Sequence, residues 1–430
     1  MKDCGVEWIG MIPDGWTLGR IGELYSERNQ KVSDVDYPPL SVTMQGVLPQ
    51  LANVAKTDAH DDRKLVRCGD FAINSRSDRR GSCGIADRDG SVSLINTVLC
   101  PRNEMNPRYY NWLFHTTMFA DEFYKWGHGI VDDLWTTRWA DMKQMSVPCP
   151  SLSEQKRIAE YLDAKCAVID DVIAKTTESI EEYKKLKQAV ITEAVTNGVR
   201  GKRPMKDSDI DWIGQIPEGW NVVKITRILD DRHPYAIGDG DHGLISPSDY
   251  VSEGVPYIRV QNLGWGTEIS SKGLVYISEE TNKRIEGSTL HPGDVLFAKT
   301  GATIGKTGII PEYFGIANTT SHVGKITVAK NICPKFIMYI LASTIGYKQF
   351  WDIASQKSTR PELAINEIKA MKVLVPPNLE EQREIADYLD SKCAAIDTLK
   401  SKKQQFIDEL TAYKKSLIYE FVTGKKEVPA

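Results

Sequence analysis

Apolar positions repeat with helical periodicity in two long stretches of the chain. Ile158, Leu162, Ile169, Val172, Ile180, Tyr183, Val190 and Ala194 recur at spacings built from threes and fours. Ile385, Leu389, Ile396, Leu399, Leu410 and Leu417 do the same. Such a stripe occupies one face of a helix, and here it runs on for about six heptads. Neither stretch contains an internal proline or glycine, and each ends at a glycine, Gly198 or Gly424, as a helix C-terminus prefers. At 1.5 Å per residue each helix is roughly 65 Å long, and two such stripes in one chain most simply pack on each other. Cys166 and Cys393, at matching positions, fit as small residues near that seam.

The chain is written twice. Residues 6–16, VEWIGMIPDGW, reappear at 210–220 as IDWIGQIPEGW, an offset of 204 with seven of eleven positions identical. Residues 152–170, LSEQKRIAEYLDAKCAVID, reappear at 379–397 as LEEQREIADYLDSKCAAID, an offset of 227. A third echo lies between these frames: Gly69-Asp70, Gly81 and Gly84-Ile85 match Gly293-Asp294, Gly305 and Gly308-Ile309 at an offset of 224. Each half therefore runs from a Trp-Ile-Gly lead-in through a divergent body into a long helix. Trp8, Trp16, Trp212 and Trp220 recur beside glycine and proline in both frames, which reads as packing of the lead-in on the helix base.

The third echo also decides a motif. Gly301-Ala-Thr-Ile-Gly305-Lys306-Thr307 looks like a phosphate-cradling loop, but three residues separate its glycines where four are needed to wrap backbone N–H groups around a phosphate. In the first copy Ser82 and Cys83 replace the lysine and threonine. Shared glycines without the phosphate-binding side chains predict a β-hairpin, with strands at 71–73 and 295–297 and a variable tip.

Composition narrows the class. A chain of 430 residues can hold two or more cores. Eight cysteines without CxxC pairs argue against a zinc site or a disulfide framework and fit a reduced, cytoplasmic protein. The N-terminus shows no basic-then-apolar signal, and apolar runs such as FIMYILA fall well short of a membrane span. A net charge of −4 is not the strong basic balance of a protein that holds nucleic acid by charge alone, although one face can be basic while the whole is not.

Two divergent bodies, each followed by a long helix opening on Glu-Gln-x-x-Ile-Ala-x-Tyr-Leu-Asp, resemble the specificity subunit of type I restriction–modification enzymes. The residues carrying the resemblance are Trp16 and Trp220 in the Pro-x-Gly-Trp lead-ins, VPYIRVQNL (255–263), GDVLFAKTG (293–301) and the two helix starts. The first body has PLSVTMQGVL (39–48) in place of VPYIRVQNL, which suggests a different subtype. The resemblance implies an α+β fold: two globular α/β target-recognition domains separated by two long antiparallel coiled-coil helices in a pseudo-two-fold repeat. It places the first target-recognition domain at 1–150, the first helix at 151–198, a linker at 199–209, the second domain at 210–377, the second helix at 378–424 and a tail at 425–430. It further implies a non-catalytic protein that reads double-stranded DNA in two halves and docks two methylation subunits, joined by restriction and motor subunits. It implies no membrane and no cofactor on this chain, with S-adenosylmethionine, ATP and magnesium on the partners. The rival reading is a coiled-coil adaptor that binds only protein; it leaves the divergent bodies unexplained.

Candidate readers follow from residue chemistry. In NSRSDRRG (74–81), Arg76, Ser77, Arg79 and Arg80 sit on a turn from which guanidinium groups can reach guanine edges or phosphates. Trp126, His128 and Arg138 lie further along the same body. The second body offers Asn262, Lys299, Thr300, Lys306, Asn318, His322, Lys357 and Arg360. For partner docking the helix starts offer Glu154, Gln155, Ile158 and Tyr161, and Glu381, Gln382, Ile385 and Tyr388.

Overall fold

The structure, a computed structural model, describes residues 1–50, 61–102, 105–129, 135–356 and 361–429. It divides into two compact units, Met1–Thr177 with Gln404–Ala430, and Glu178–Lys403. Both long helices, Leu152–Asn197 and Leu379–Val422, contribute to both units.

In the first unit the lead-in strand Thr17–Arg20 pairs antiparallel with Ser146–Cys149, which closes the body at its base. The body holds a four-stranded sheet in the order Cys83–Ile85, Phe71–Asn74, Asn96–Pro101, Tyr25–Glu27. A three-stranded sheet and the hairpin Leu40–Thr43/Gly46–Pro49 complete it. Helices Pro107–Phe114 and Thr117–Lys125 bury a run of rings, including Tyr109, Tyr110, Phe114, Phe119 and Phe123, against Tyr25 and Phe71. The same core takes in Ile158, Leu162, Cys166 and Ile169 from the first long helix and Leu417, Ile418 and Phe421 from the second. Burial of this apolar surface contributes roughly 25 cal/mol per Å² to holding the body together and to its helices.

The second unit repeats the plan. Asn221–Lys224 pairs with Lys372–Val375. A five-stranded sheet runs Ile237–Asp239, Val323–Ile326, Val295–Ala298, Thr307–Ile309, Thr267–Glu268. Pro334–Ala342, buried from Phe336 to Ala342, is a core helix, and Thr344–Ala354 follows it.

Each long helix is started by a side chain that caps it. Ser151 Oγ accepts the Glu154 N–H at 3.3 Å and Asn378 Oδ1 accepts the Glu381 N–H at 2.9 Å. Each ends on a glycine in the left-handed region, with φ of 72° at Gly198 and 71° at Gly424. Within each unit the helices run antiparallel. In the first, Tyr161 packs on Phe421 and Asp170 pairs with Lys414 at 2.6 Å. In the second, Tyr183 meets Lys403 and Lys187 pairs with Asp397 at 2.6 Å. The two ion pairs are the same pair in the repeat, since 187 and 414, like 170 and 397, differ by 227. Cys166 and Cys393 are buried in these cores, and burial pushes the Cys166 thiol up to about 11.

The body is tied to its helix by matched polar bonds as well. Asp163 accepts from Trp112 Nε1 at 2.8 Å and pairs with Arg108, while Asp390 accepts from Tyr339 Oη at 2.7 Å and from Lys335 Nζ at 2.6 Å. An aspartate of each Tyr-Leu-Asp thus holds one cation and one aromatic donor on the neighbouring helix.

The two interhelical pairs differ in burial. Lys187 is almost fully covered, whereas Asp170 is exposed. Burial alone would raise the Asp397 carboxyl, but the ammonium groups of Lys187 and Lys400 outweigh it and hold it below its ordinary value. A depressed carboxyl stabilises the fold above its unfolded pKa and loses that contribution as the pH falls through its folded one. At neutral pH Lys187→Ala should cost about 2 kcal/mol in urea unfolding, because it leaves the half-buried Asp397 carboxylate with Lys400 alone. Asp170→Ala should cost less than about 1 kcal/mol. Equal losses would contradict the assignment of Lys187 as the buried register pair.

Candidate nucleic-acid interface

Both bodies present a hairpin of the same construction. Phe71–Asn74 pairs antiparallel with Cys83–Ile85, and Val295–Ala298 with Thr307–Ile309. Each tip begins with a short 3-10 turn, Ser77–Arg79 in the first body and Gly301–Thr303 in the second. The turn then leaves through a glycine in the left-handed region, Gly81 at φ 73° or Gly305 at φ 93°. Lys306-Thr307 leads into a strand, not into a helix N-terminus, so this segment lacks the geometry that would cradle a nucleotide's phosphates.

A second segment is sewn to each tip by the same two backbone bonds. The Ser77 N–H donates to Trp135 O at 3.0 Å and the Thr137 N–H to Ser75 O at 3.0 Å. The Gly301 N–H donates to Pro361 O at 2.9 Å and the Leu363 N–H to Lys299 O at 2.9 Å. Residues 135–138, WTTR, and 361–364, PELA, share no identity, so nothing in their side chains announced the correspondence.

In the first body these bonds bring the candidates together. Arg76 and His128 both bridge to Thr136 through the backbone. Arg79 is 66% exposed and Arg80 59% exposed. Arg76 lies 3.1 Å from Asp78, Arg80 donates to Asp121 at 2.8 Å, and the Arg80 guanidinium covers the Tyr124 ring at 5.3 Å. Ser77 is half-buried within the same turn, and Arg138 is exposed at the start of Trp139–Met142. Trp126 is partly exposed and donates to Glu122 at 3.0 Å, and the His128 ring stands 3.5 Å from Asp141. Surface pairs of this sort are worth under about 1 kcal/mol, so a phosphate or guanine edge can displace the carboxylates.

The second body departs from the sequence expectation. Asn262 is fully buried, its Oδ1 accepting the Arg259 N–H at 3.0 Å and its Nδ2 donating to Ser270 O at 2.9 Å. Asn318 is fully buried too, bonded to Ser288 at 2.6 Å and Asn282 at 2.7 Å. Lys299 lies between Asp239 at 2.7 Å and Glu362 at 2.9 Å, and Thr300 is covered. These four belong to the framework, since their polar atoms are spent inside the body or hidden from a ligand. Lys306 is half-buried beside the tip and His322 is exposed, while Lys357 and Arg360 lie outside the described residues.

Trp265 and Tyr347, each 40% exposed, were missed. Their rings meet edge to face at 6.0 Å beside Gly305, where a Cβ would come within 2.6 Å of the Tyr347 ring. A lone tryptophan between glycines and a tyrosine on a helix carry no sequence signal of being neighbours.

The helix-start candidates are corrected as well. Gln155 accepts the Asn106 N–H at 2.8 Å and donates to Pro150 O at 2.9 Å. Gln382 accepts the Cys333 N–H at 2.8 Å and donates to Pro376 O at 3.4 Å. Both are buried, as are Ile158 and Ile385 in the cores. Glu381 is covered by Arg203 and accepts from Trp220 Nε1 at 3.2 Å. Burial removes all five from contact with a partner protein; Glu154 and Tyr161 are half-buried, and Tyr388 is exposed. Trp8, Trp16 and Trp220 are buried in the helix bases, as their repetition implies, whereas Trp212, the counterpart of Trp8, is only half-buried.

Comparison with known proteins agrees with this architecture. Residues 217–408 match the family described as the type I restriction modification DNA specificity domain. The type I restriction enzyme MjaVIII specificity subunit of Methanocaldococcus jannaschii is 28% identical over 97% of this chain and 94% of its own length. The EcoBI specificity subunit of Escherichia coli is 28% identical over 65% of this chain, and the match spans 58% of that protein. A solved chain from work on complex assembly and conformational transition of the type I R-M system superposes with a TM-score of 0.71 at 16% identity, covering 97% of this chain and all of that one. Two bodies on one repeated frame, a specificity-domain match over residues 217–408 and a relative that follows the chain nearly end to end make this chain similar to the specificity subunits of type I restriction enzymes.

Proposed function

We propose that each body of this chain reads one half of a bipartite DNA target, and that the chain does so as a non-catalytic subunit. The observation carrying this is the tip joined to a second segment, built twice on the same backbone and dressed with different side chains. A scaffold of that kind can change what it reads without changing how it folds. The long helices, which belong to both units, set the spacer between the half-sites and dock two methylation subunits, with restriction and motor subunits joining the complex. S-adenosylmethionine, ATP and magnesium act on those partners. The site of action is DNA in the cytoplasm, and among the described residues no helix is long and apolar enough to cross a membrane.

A net charge of −4 fits division of labour. Exposed arginines at the first tip supply local positive potential, and partner subunits supply the rest of the phosphate neutralisation. A protein-only adaptor would show no steep salt dependence in binding duplex DNA.

Two expectations follow for the assembled methylating complex. Among Arg76→Ala, Arg79→Ala and Arg80→Ala, at least one should cost about 1–3 kcal/mol and relax discrimination at a single base pair, whereas a phosphate contact would weaken all sequences alike. Wild-type affinity and preference in all three would move the reading surface of this body elsewhere. Four residues inserted after both Thr177 and Gln404, equivalent points in the repeat, leave Asp170–Lys414 and Lys187–Asp397 each in register. Each helix should lengthen by roughly 6 Å, adding one or two base pairs to the spacer at about 3.4 Å each. An active insertion variant with an unchanged spacer in methylation mapping would remove the helices from that role.

A further inference from the structure

Among the described residues, the second body alone places an ion pair across the joint between tip and second segment. The Lys299 side chain is 8% exposed, and its ammonium lies 2.7 Å from Asp239 and 2.9 Å from Glu362. Asp239 ends a sheet strand, Ile237–Asp239, whose pairing with Val323–Ile326 fixes it in place. Glu362 sits on the irregular segment 361–364 and is 48% exposed. At the matching positions of the first body, defined by the same backbone bonds, stand Ser75 and Thr136. Ser75 there shares a hydroxyl bond with Thr97 at 3.0 Å.

A lysine in this position is not neutral packing. Burial alone would lower its pKa, but Asp239 and Glu362 more than offset that and hold it above its ordinary value. The charge is therefore kept, and a kept buried charge requires its partners to stay put. Of the three groups only Glu362 belongs to a segment without regular structure, so that segment is the one the charge restrains. Two backbone bonds already dock it, at Gly301 and Leu363, and Thr300 bridges to Glu362 itself. The added ion pair fixes the angle at which it meets the tip.

We propose that Lys299 and Glu362 are positioning residues for the second body: their ion pair seats the segment 361–364 against the hairpin tip and so sets which DNA half-site that body accepts. This role rests on the two-part DNA reading above. At the matching positions of the first body stand Ser75 and Thr136, which makes the first half-site an internal control.

The test is methylation-site mapping with the full chain assembled with its methylation partners, comparing wild type, Glu362→Gln, Lys299→Met and Lys299→Arg. Glu362→Gln leaves Lys299 paired with Asp239, so the buried charge is not orphaned and the chain should fold even if Lys299→Met does not. Glu362→Gln should lower discrimination at the second half-site about ten-fold, the scale of one lost base contact, while the first half-site is read as before. Lys299→Arg, which can still span both carboxylates, should retain most of the discrimination. Unchanged discrimination at the second half-site in Glu362→Gln would overturn the role. So would an equal loss at both half-sites, which marks general destabilisation. If wild type itself yielded no bipartite site, the DNA-reading proposal would fail instead, a distinguishable result.

Discussion

A buried glutamine near the start of each long helix fastens a globular body to the helix that carries it. Gln155 and Gln382 each accept the backbone N–H of the residue that opens the neighbouring core helix, and each donates to the carbonyl of the chain entering its own. A glutamine in this position satisfies groups that would otherwise be buried without partners, a penalty of about 1–3 kcal/mol each. It also fixes the direction in which the body leaves the helix. Asp163 and Asp390 repeat the device two turns on, with Arg108 and Trp112 in one unit and Lys335 and Tyr339 in the other. Everything that distinguishes the two bodies is mounted on this common base.

From that base the division between what is constant and what is free becomes physical. Constant parts are those whose side chains are consumed within the unit: the helix seam, the capped starts, the lead-in tryptophans and the left-handed glycines of the hairpins. Free parts are those held by backbone bonds, because an N–H or carbonyl can be supplied by nearly any residue. The segment at 135–138 is free in this sense, while the one at 361–364 shares the backbone bonds and adds the Lys299–Glu362 pair. One tip therefore carries three arginines, two of them exposed, while the other sits beside a tryptophan and a tyrosine. Different chemistry is presented at the same place on the same fold.

The same distinction explains what the sequence revealed. Helix periodicity, the terminal glycines and the hairpin glycines were legible because each is a requirement on residue type. The docking of the second segments was not, because the bonds common to both bodies ask only for backbone. Asn262, Asn318 and Lys299 were misread for another reason: amides and ammonium groups are mostly exposed, and only the fold shows that these three meet internal partners. Gln155 and Gln382 were noticed for their repetition but assigned outward, since repetition alone does not tell a joint inside the chain from a joint with another one.

The central claim is that each body carries its own half of the specificity on a shared frame. Its most direct measurement is a genome-wide methylation map from a complex in which residues 17–150 are replaced by the corresponding body of a homologue. If the bodies are independent readers, one half-site changes while the other half-site and the spacer remain. A change in both half-sites, or in neither, would contradict it.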